Sequence, residues 1–273
     1  MPHHRTVGHM THTPGGAVVE VRLLDGVEIW SAGRRLDAGG PRQRSVLAVL
    51  ASEANRALPV ETLIDRVWDS RPPVQARHTL HAYVTRLRKL VGADRLTCRA
   101  GAYRLTGGPE HIDVLRVAEL TTRAGDPAAA PHARAELLGE ALALWRGVPL
   151  AGLPGAWAAQ TRHRWSQQRL DTTLAWAEAQ LPRAGAASVI PELEALTAEH
   201  WLSEPLTGAL MVALAAAGRP AEALDRFTQL RRRLADELGC DPGPELRRLH
   251  VSILRRSHDR PRTCVCGASD TST

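Results

Sequence analysis

Along residues 18 to 24, apolar Val19, Val21 and Leu23 alternate with Glu20 and Arg22, the two-residue period of a strand with one buried face. Asp25-Gly26 is a turn signal, and residues 27 to 30 and 34 to 36 read as two more short strands around a Ser31-Ala32-Gly33 break. The pattern predicts an N-terminal antiparallel sheet closed by Gly39-Gly40-Pro41. Helical spacing follows at once, with Pro41 in the first turn and Val46, Leu47, Leu50 and Ala54 on one face. Pro59 ends that helix or starts the next, in which Val60, Leu63, Ile64, Val67 and Trp68 recur at helical intervals. Pro72 and Pro73 make residues 69 to 76 a loop. A third helix is predicted over residues 77 to 91, with Leu80, Val84, Leu87 and Val91 on one face and Tyr83 and Leu90 on its flank.

The other face of that third helix carries His78, His81, Ala82, Thr85 and Lys89, flanked by Arg86 and Arg88. Such a face is either a solvated surface or one that enters a major groove, where Arg and Lys read guanine and Thr contacts thymine methyls or phosphates. Gly92 caps the helix, and residues 95 to 98 pair plausibly with 102 to 105 around Arg99-Ala100-Gly101. A hairpin after three helices is a wing, and it places Arg99 where an adjacent groove or phosphate is within reach. Residues 111 to 256 show no strand alternation and read as successive helices. Leu181-Pro182-Arg183-Ala184-Gly185 returns as Leu214-Ala215-Ala216-Ala217-Gly218 after 33 residues, against a tetratricopeptide period of about 34. Aligned on Gly218, Leu210, Met211 and Leu214 fall on one helix of a pair, Ala223 and Phe227 on its partner, and Pro242 at the exit. Stacked pairs of this kind bind proteins in their groove, or else form a body that only holds dimers together or stabilises the neighbouring domain. Trp145, Trp157, Trp165, Trp176 and Trp201 read as core positions rather than as an aromatic ligand box.

Charge divides unevenly along the 273 residues, whose net charge is +6. Residues 17 to 110 hold 15 Arg/Lys against 10 Asp/Glu, and residues 111 to 258 hold 17 against 17. A basic excess confined to one block suits a polyanionic partner for that block, and protein partners for the other. Lys89 is the sole lysine; the heavy use of Arg fits bidentate phosphate contacts but follows equally from a GC-rich genome. Several function classes drop out. No apolar run is long enough to span a bilayer, and the first sixteen residues, with His3, His4, His9 and His12, lack a secretory core, which places the chain in the cytoplasm, at the nucleoid. The tail spacing of Cys264 and Cys266 suits neither a disulfide framework nor paired zinc ligands, and the His-rich start lacks the fixed geometry of a metal site. There is no phosphate loop, dinucleotide fingerprint, zinc-protease helix or nucleophile elbow, so we expect neither an enzyme nor a cofactor.

The order sheet, helix, helix, loop, basic helix and hairpin resembles the OmpR-type winged-helix output domain, with no receiver domain ahead of it. PRQRSVLAVL at 41–50, LIDRVW at 63–68 and TLHAYVTRLRKL at 79–90 resemble the Streptomyces antibiotic regulatory proteins, activators of secondary-metabolite gene clusters. ALALWRG at 141–147, PELEAL at 191–196, AAGRPAEAL at 216–224 and LRRRLADELGCDPGPEL at 230–246 resemble the bacterial transcriptional activation domain of that family. The resemblance implies an α+β winged helix over 17–110, an all-α tetratricopeptide-like domain over 111–256, and disordered tails at 1–16 and 257–273. It implies that two protomers bind promoter direct repeats side by side, the third helix reading through Arg77, His78, Thr79, His81, Thr85, Arg86, Arg88 and Lys89. Arg42, Arg44, Arg99, Tyr103 and Arg104 would make wing and phosphate contacts. Trp68, Asp69, Ser70, Arg71, Pro72 and Val74 would touch RNA polymerase, at region 4 of the sigma factor and the C-terminal domain of alpha. Larger relatives carry an ATPase module, for which this sequence has no phosphate loop.

Overall fold

The computed structural model describes residues 18–258; the His-rich start and the Cys264–Cys266 tail lie outside the described residues. The chain opens with β1 (Val19–Arg22), β2 (Glu28–Ser31) and β3 (Arg34–Leu36), an antiparallel sheet in which Val21 pairs with Ile29 and Ile29 with Leu36. Next come α1 (Pro41–Ser52), β4 (Leu58–Pro59), α2 (Val60–Trp68) and α3 (Ala76–Val91). β5 (Leu96–Arg99) and β6 (Ala102–Leu105) form the predicted hairpin, one residue later in its first strand.

Three details differ from the sequence reading. Leu58 and Pro59, expected only as a helix boundary, pair with Tyr103 and Ala102, so that β4, β6 and β5 make a second sheet. Two residues carry no readable period, and only the partner strand makes them a strand. Helix α1 ends before Ala54, and every residue from Val46 to Ala51 is at most 1% exposed. A helix buried all round occupies the centre of its domain rather than lying along an edge. Ala76 belongs to α3 and not to the preceding loop.

The remaining elements are helical: α4 (Asp113–Ala124), α5 (Pro131–Leu142), α6 (Ala156–Ala184), a single 3-10 turn at Ala186–Ser188, α7 (Ile190–Glu199), α8 (Glu204–Ala216), α9 (Pro220–Leu238) and α10 (Pro244–His258). Contacts divide the chain into two compact units. One takes the described residues up to Arg116 together with Arg146–Arg162; the other takes Val117–Trp145 and the described residues from His163 onward.

In the first unit the Asp113 carboxylate accepts the amides of Leu23 and Leu24 at 2.7 and 2.9 Å. Leu150 and Ala151 donate their amides to Leu23 and Asp25, each at 2.9 Å. Residues 146–162 thus form a strap fastened to the end of β1. In the second unit, Leu210, Met211 and Leu214 of α8 pack with Ala223 and Phe227 of α9 in one buried cluster, as the repeat alignment predicts. Gly185 and Gly218, the two aligned glycines, both lie at positive φ just beyond a helix end, a conformation that glycine adopts without steric penalty. Trp145 and Trp165 are buried, but Trp157, Trp176 and Trp201 are only half-buried. Arg233 lies over the Trp201 ring at 5.8 Å, so the ring covers a cation rather than filling core.

Candidate nucleic-acid interface

Helix α3 docks through Leu80, Val84, Leu87 and Val91, each at most 1% exposed. Its polar residues fall into two groups according to what holds them. At about 100° per residue, His81 and Arg88 lie almost on one line along the helix, seven residues apart, on the side next to the buried face. Both are engaged by the wing: Arg88 Nε donates to the Leu96 carbonyl at 2.7 Å, and His81 Nδ1 lies 3.2 Å from the Tyr103 hydroxyl. Arg77, close to the same line, is ion-paired with Glu61 of α2. That pair is well exposed on both sides, so it is weak and open to exchange for a phosphate.

The next sector around the helix, about 100° wide, holds Thr85, His78, Lys89, Ala82 and Arg86. His78, Thr85, Arg86 and Lys89 are exposed. Thr85 Oγ1 donates to the His81 carbonyl within its own helix, which leaves the hydroxyl oxygen able to accept. Thr79, half-buried, lies beyond this sector toward Tyr83.

The wing has two faces because paired residues on neighbouring strands point the same way. Thr97 pairs with Arg104 and Arg99 with Ala102, so both arginines project from one face, and both are exposed. Cys98 pairs with Tyr103 on the other face, which turns toward α3. Burial, followed by the neighbouring Cys98, pushes the Tyr103 phenol above its ordinary range, although Arg88 nearby pulls it down. The phenol keeps its proton, and the direction of its bond to His81 Nδ1 follows the tautomer of the imidazole. At the base of the wing, Arg95 donates to the carbonyls of Thr106 and Val19 at 3.1 and 3.0 Å, and burial lowers its pKa ahead of opposing pulls from Asp94 and Glu110. Arg95 is absent from the residues expected from sequence; its position at the start of the hairpin, where a strand must be tied to the first sheet, is the signal that could have found it.

Arg42 and Arg44 are both half-buried on α1. Arg42 donates to the Val67 carbonyl in the last turn of α2, where a cation also meets the negative end of the helix dipole. Arg44 lines a cavity of about 190 Å³ with Arg35 and Asp37.

The loop after α2 is anchored at both ends. Trp68 is buried and stacks with Tyr83 at 6.4 Å; Ala76 donates its amide to the Pro73 carbonyl at 3.0 Å. Asp69 stands at φ 52, and its carboxylate accepts the Ala156 amide at 3.1 Å, capping the first turn of α6 from a distant segment. Between these anchors Ser70, Arg71 and Pro72 are exposed and Val74 is fully so, an apolar side chain without cover. Among the described residues no cluster of three or more His, Cys, Asp or Glu gathers as metal ligands, and no helix is long and apolar enough to cross a membrane.

Two family patterns match the chain in succession: "Transcriptional regulatory protein, C terminal" over residues 38–105 and "Bacterial transcriptional activator domain" over residues 112–254. The regulatory protein AfsR of Streptomyces griseus is 38% identical over 243 residues, covering 88% of this chain and 25% of AfsR. The chain thus spans about a quarter of that relative's length. The regulatory protein DnrI of Streptomyces peucetius is 34% identical, covering 78% of this chain and 84% of DnrI. Mycobacterium tuberculosis EmbR, solved in complex with a low-affinity phosphopeptide, superposes with a TM-score of 0.81 at 35% identity, covering 88% of this chain and 66% of EmbR.

Proposed function

Since this chain belongs to the Streptomyces antibiotic regulatory protein family of transcriptional regulators, we propose that it binds direct repeats in promoter DNA, recruits RNA polymerase and switches on a secondary-metabolite gene cluster. The observation that carries the reading is the sector of α3 holding His78, Thr85, Arg86 and Lys89, exposed and lying beside a wing whose outer face presents Arg99 and Arg104. Arg and Lys on such a sector supply both phosphate neutralisation and donors for guanine edges. Direct repeats call for two protomers related by translation, each placing α3 in successive major grooves on one side of the duplex.

Val74 and its neighbours fit the polymerase contact, because a fully exposed apolar side chain on a loop anchored at both ends makes a preformed docking point. RNA polymerase region 4 of sigma and the C-terminal domain of alpha are the partners expected for that loop.

Selection of bound duplexes from a random library with the full chain tests the reading. We expect enrichment of direct repeats spaced by about 10–11 base pairs, one helical turn. Arg86→Ala and Lys89→Ala each weaken binding to the selected site about tenfold, with a salt dependence shallower by roughly one phosphate contact. Equal affinity for selected and unrelated duplexes would overturn it. Val74→Asp abolishes activation in transcription with purified polymerase while leaving DNA affinity within about twofold, since the substitution lies off the reading helix.

A further inference from the structure

We infer that His81 and Arg88 are positioning residues that seat the wing on the reading helix, and that base readout falls to the neighbouring sector of His78, Thr85, Arg86 and Lys89. The inference rests on the DNA reading above and divides its candidate residues by role.

Each anchor has the chemistry of a hold. The guanidinium Nε of Arg88 is the donor nearest the side-chain stem, and it is engaged with a backbone carbonyl of β5 at 2.7 Å. Its side chain is only half-exposed, unlike those of Arg86 and Lys89. His81, itself exposed, shares a hydrogen bond with a tyrosine that is 5% exposed and whose strand is paired on both sides, with β4 through Leu58 and with β5 through Cys98. The two anchors stand about 10 Å apart along α3, seven residues at roughly 1.5 Å each. Two attachment points on one line fix both the distance of the hairpin from the helix and its tilt, whereas one would leave it free to pivot. Further out, the Val60 amide donates to the Gly101 carbonyl at 3.1 Å, which steadies the tip from α2. Side chains tied in this way keep their remaining nitrogens but are held toward the wing, so they are less free to follow a base edge than the untethered Arg86 and Lys89. The separation between what α3 touches and what Arg99 and Arg104 touch is then set by the anchors.

The test uses the full chain with Arg88→Ala, Arg88→Gln and Tyr103→Phe, beside Arg86→Ala. Hydrogen exchange on the free proteins reads the hold without DNA: amides of β5 and β6 exchange about tenfold faster in Arg88→Ala and in Tyr103→Phe, as expected when a restraining hydrogen bond is lost. Arg88→Gln, which keeps a side-chain donor, restores much of the protection, and amides of α8 and α9 stay unchanged in every variant. On the selected duplex, Arg88→Ala and Tyr103→Phe weaken the wing protections in a hydroxyl-radical footprint yet leave the ranking of base substitutions as in the wild type. Arg86→Ala alters that ranking. A change of base preference in Arg88→Ala, or exchange in β5 and β6 identical to wild type, overturns the inference. If the wild type selects no DNA site, the DNA reading has failed, and the exchange data alone decide whether the hold exists.

Discussion

Asp113 receives three backbone amides on one carboxylate, from Leu23, Leu24 and, at 2.8 Å, its own neighbour Val114. Burial nevertheless outweighs those bonds and the pull of Arg22, and the pKa rises from 3.8 to about 6. The folded state therefore holds its proton at a pH where the unfolded chain has released it. Stability from this residue is greatest below about pH 4, falls as the pH rises toward 6, and is level above that; the span is on the order of 2–3 kcal/mol. Denaturant melts of wild type and Asp113→Asn between pH 4 and 7 should show this slope in the difference between them, with the asparagine variant lacking it. At this scale the sequence told much about residue type and little about engagement. The donors along α3 could be read from the helical period, but nothing in the chain announces that Arg88 meets the Leu96 carbonyl or that Arg77 meets Glu61, sixteen residues earlier. Those facts depend on tertiary placement.

Two of the three hairpins share one device. Ala32-Gly33 joins β2 to β3 and Ala100-Gly101 joins β5 to β6, with φ of 48, 73, 47 and 73. Two central residues at positive φ are the requirement of a type I′ turn, the form that matches strand twist. Glycine meets it freely; alanine holds the left-handed region at a penalty of about 1 kcal/mol. Ala100→Asn should relieve part of that strain and raise the unfolding free energy by about 0.5–1 kcal/mol, because asparagine tolerates the region better. Thermal and urea unfolding of the full chain check this, with the wing amides more protected in the variant. Both turns were legible in the sequence as breaks containing glycine. Strand β4 was not, since a two-residue strand has no period, and neither was the burial of every residue from Val46 to Ala51 in α1, whose even run of small and branched side chains hides which face looks inward.

Over the whole chain, the succession of winged helix and helical repeats was legible because long amphipathic helices repeat their signal many times. The strap was not. Leu150 is wholly buried, at φ 53, within a stretch rich in Gly and Pro that reads as a connector. Residues 146–162 lie within the span of the second family pattern and pack with the first unit. A fragment that stops at residue 110 would lose Asp113 and the strap together. The amides of Leu23 and Leu24 should then exchange at least about tenfold faster in the fragment than in the full chain, measured under the same conditions, since both give up a partner that closes them from water. Equal exchange would mean that the first unit is complete without the strap. The exposed Lys89 on the reading sector has a different consequence. No other side chain in the protein ends in a primary amine, so among side chains a mild acylating reagent becomes a single-address stain for that helix. Whatever covers the sector shields the stain, and the same reaction that reports the site also erases one of its positive charges.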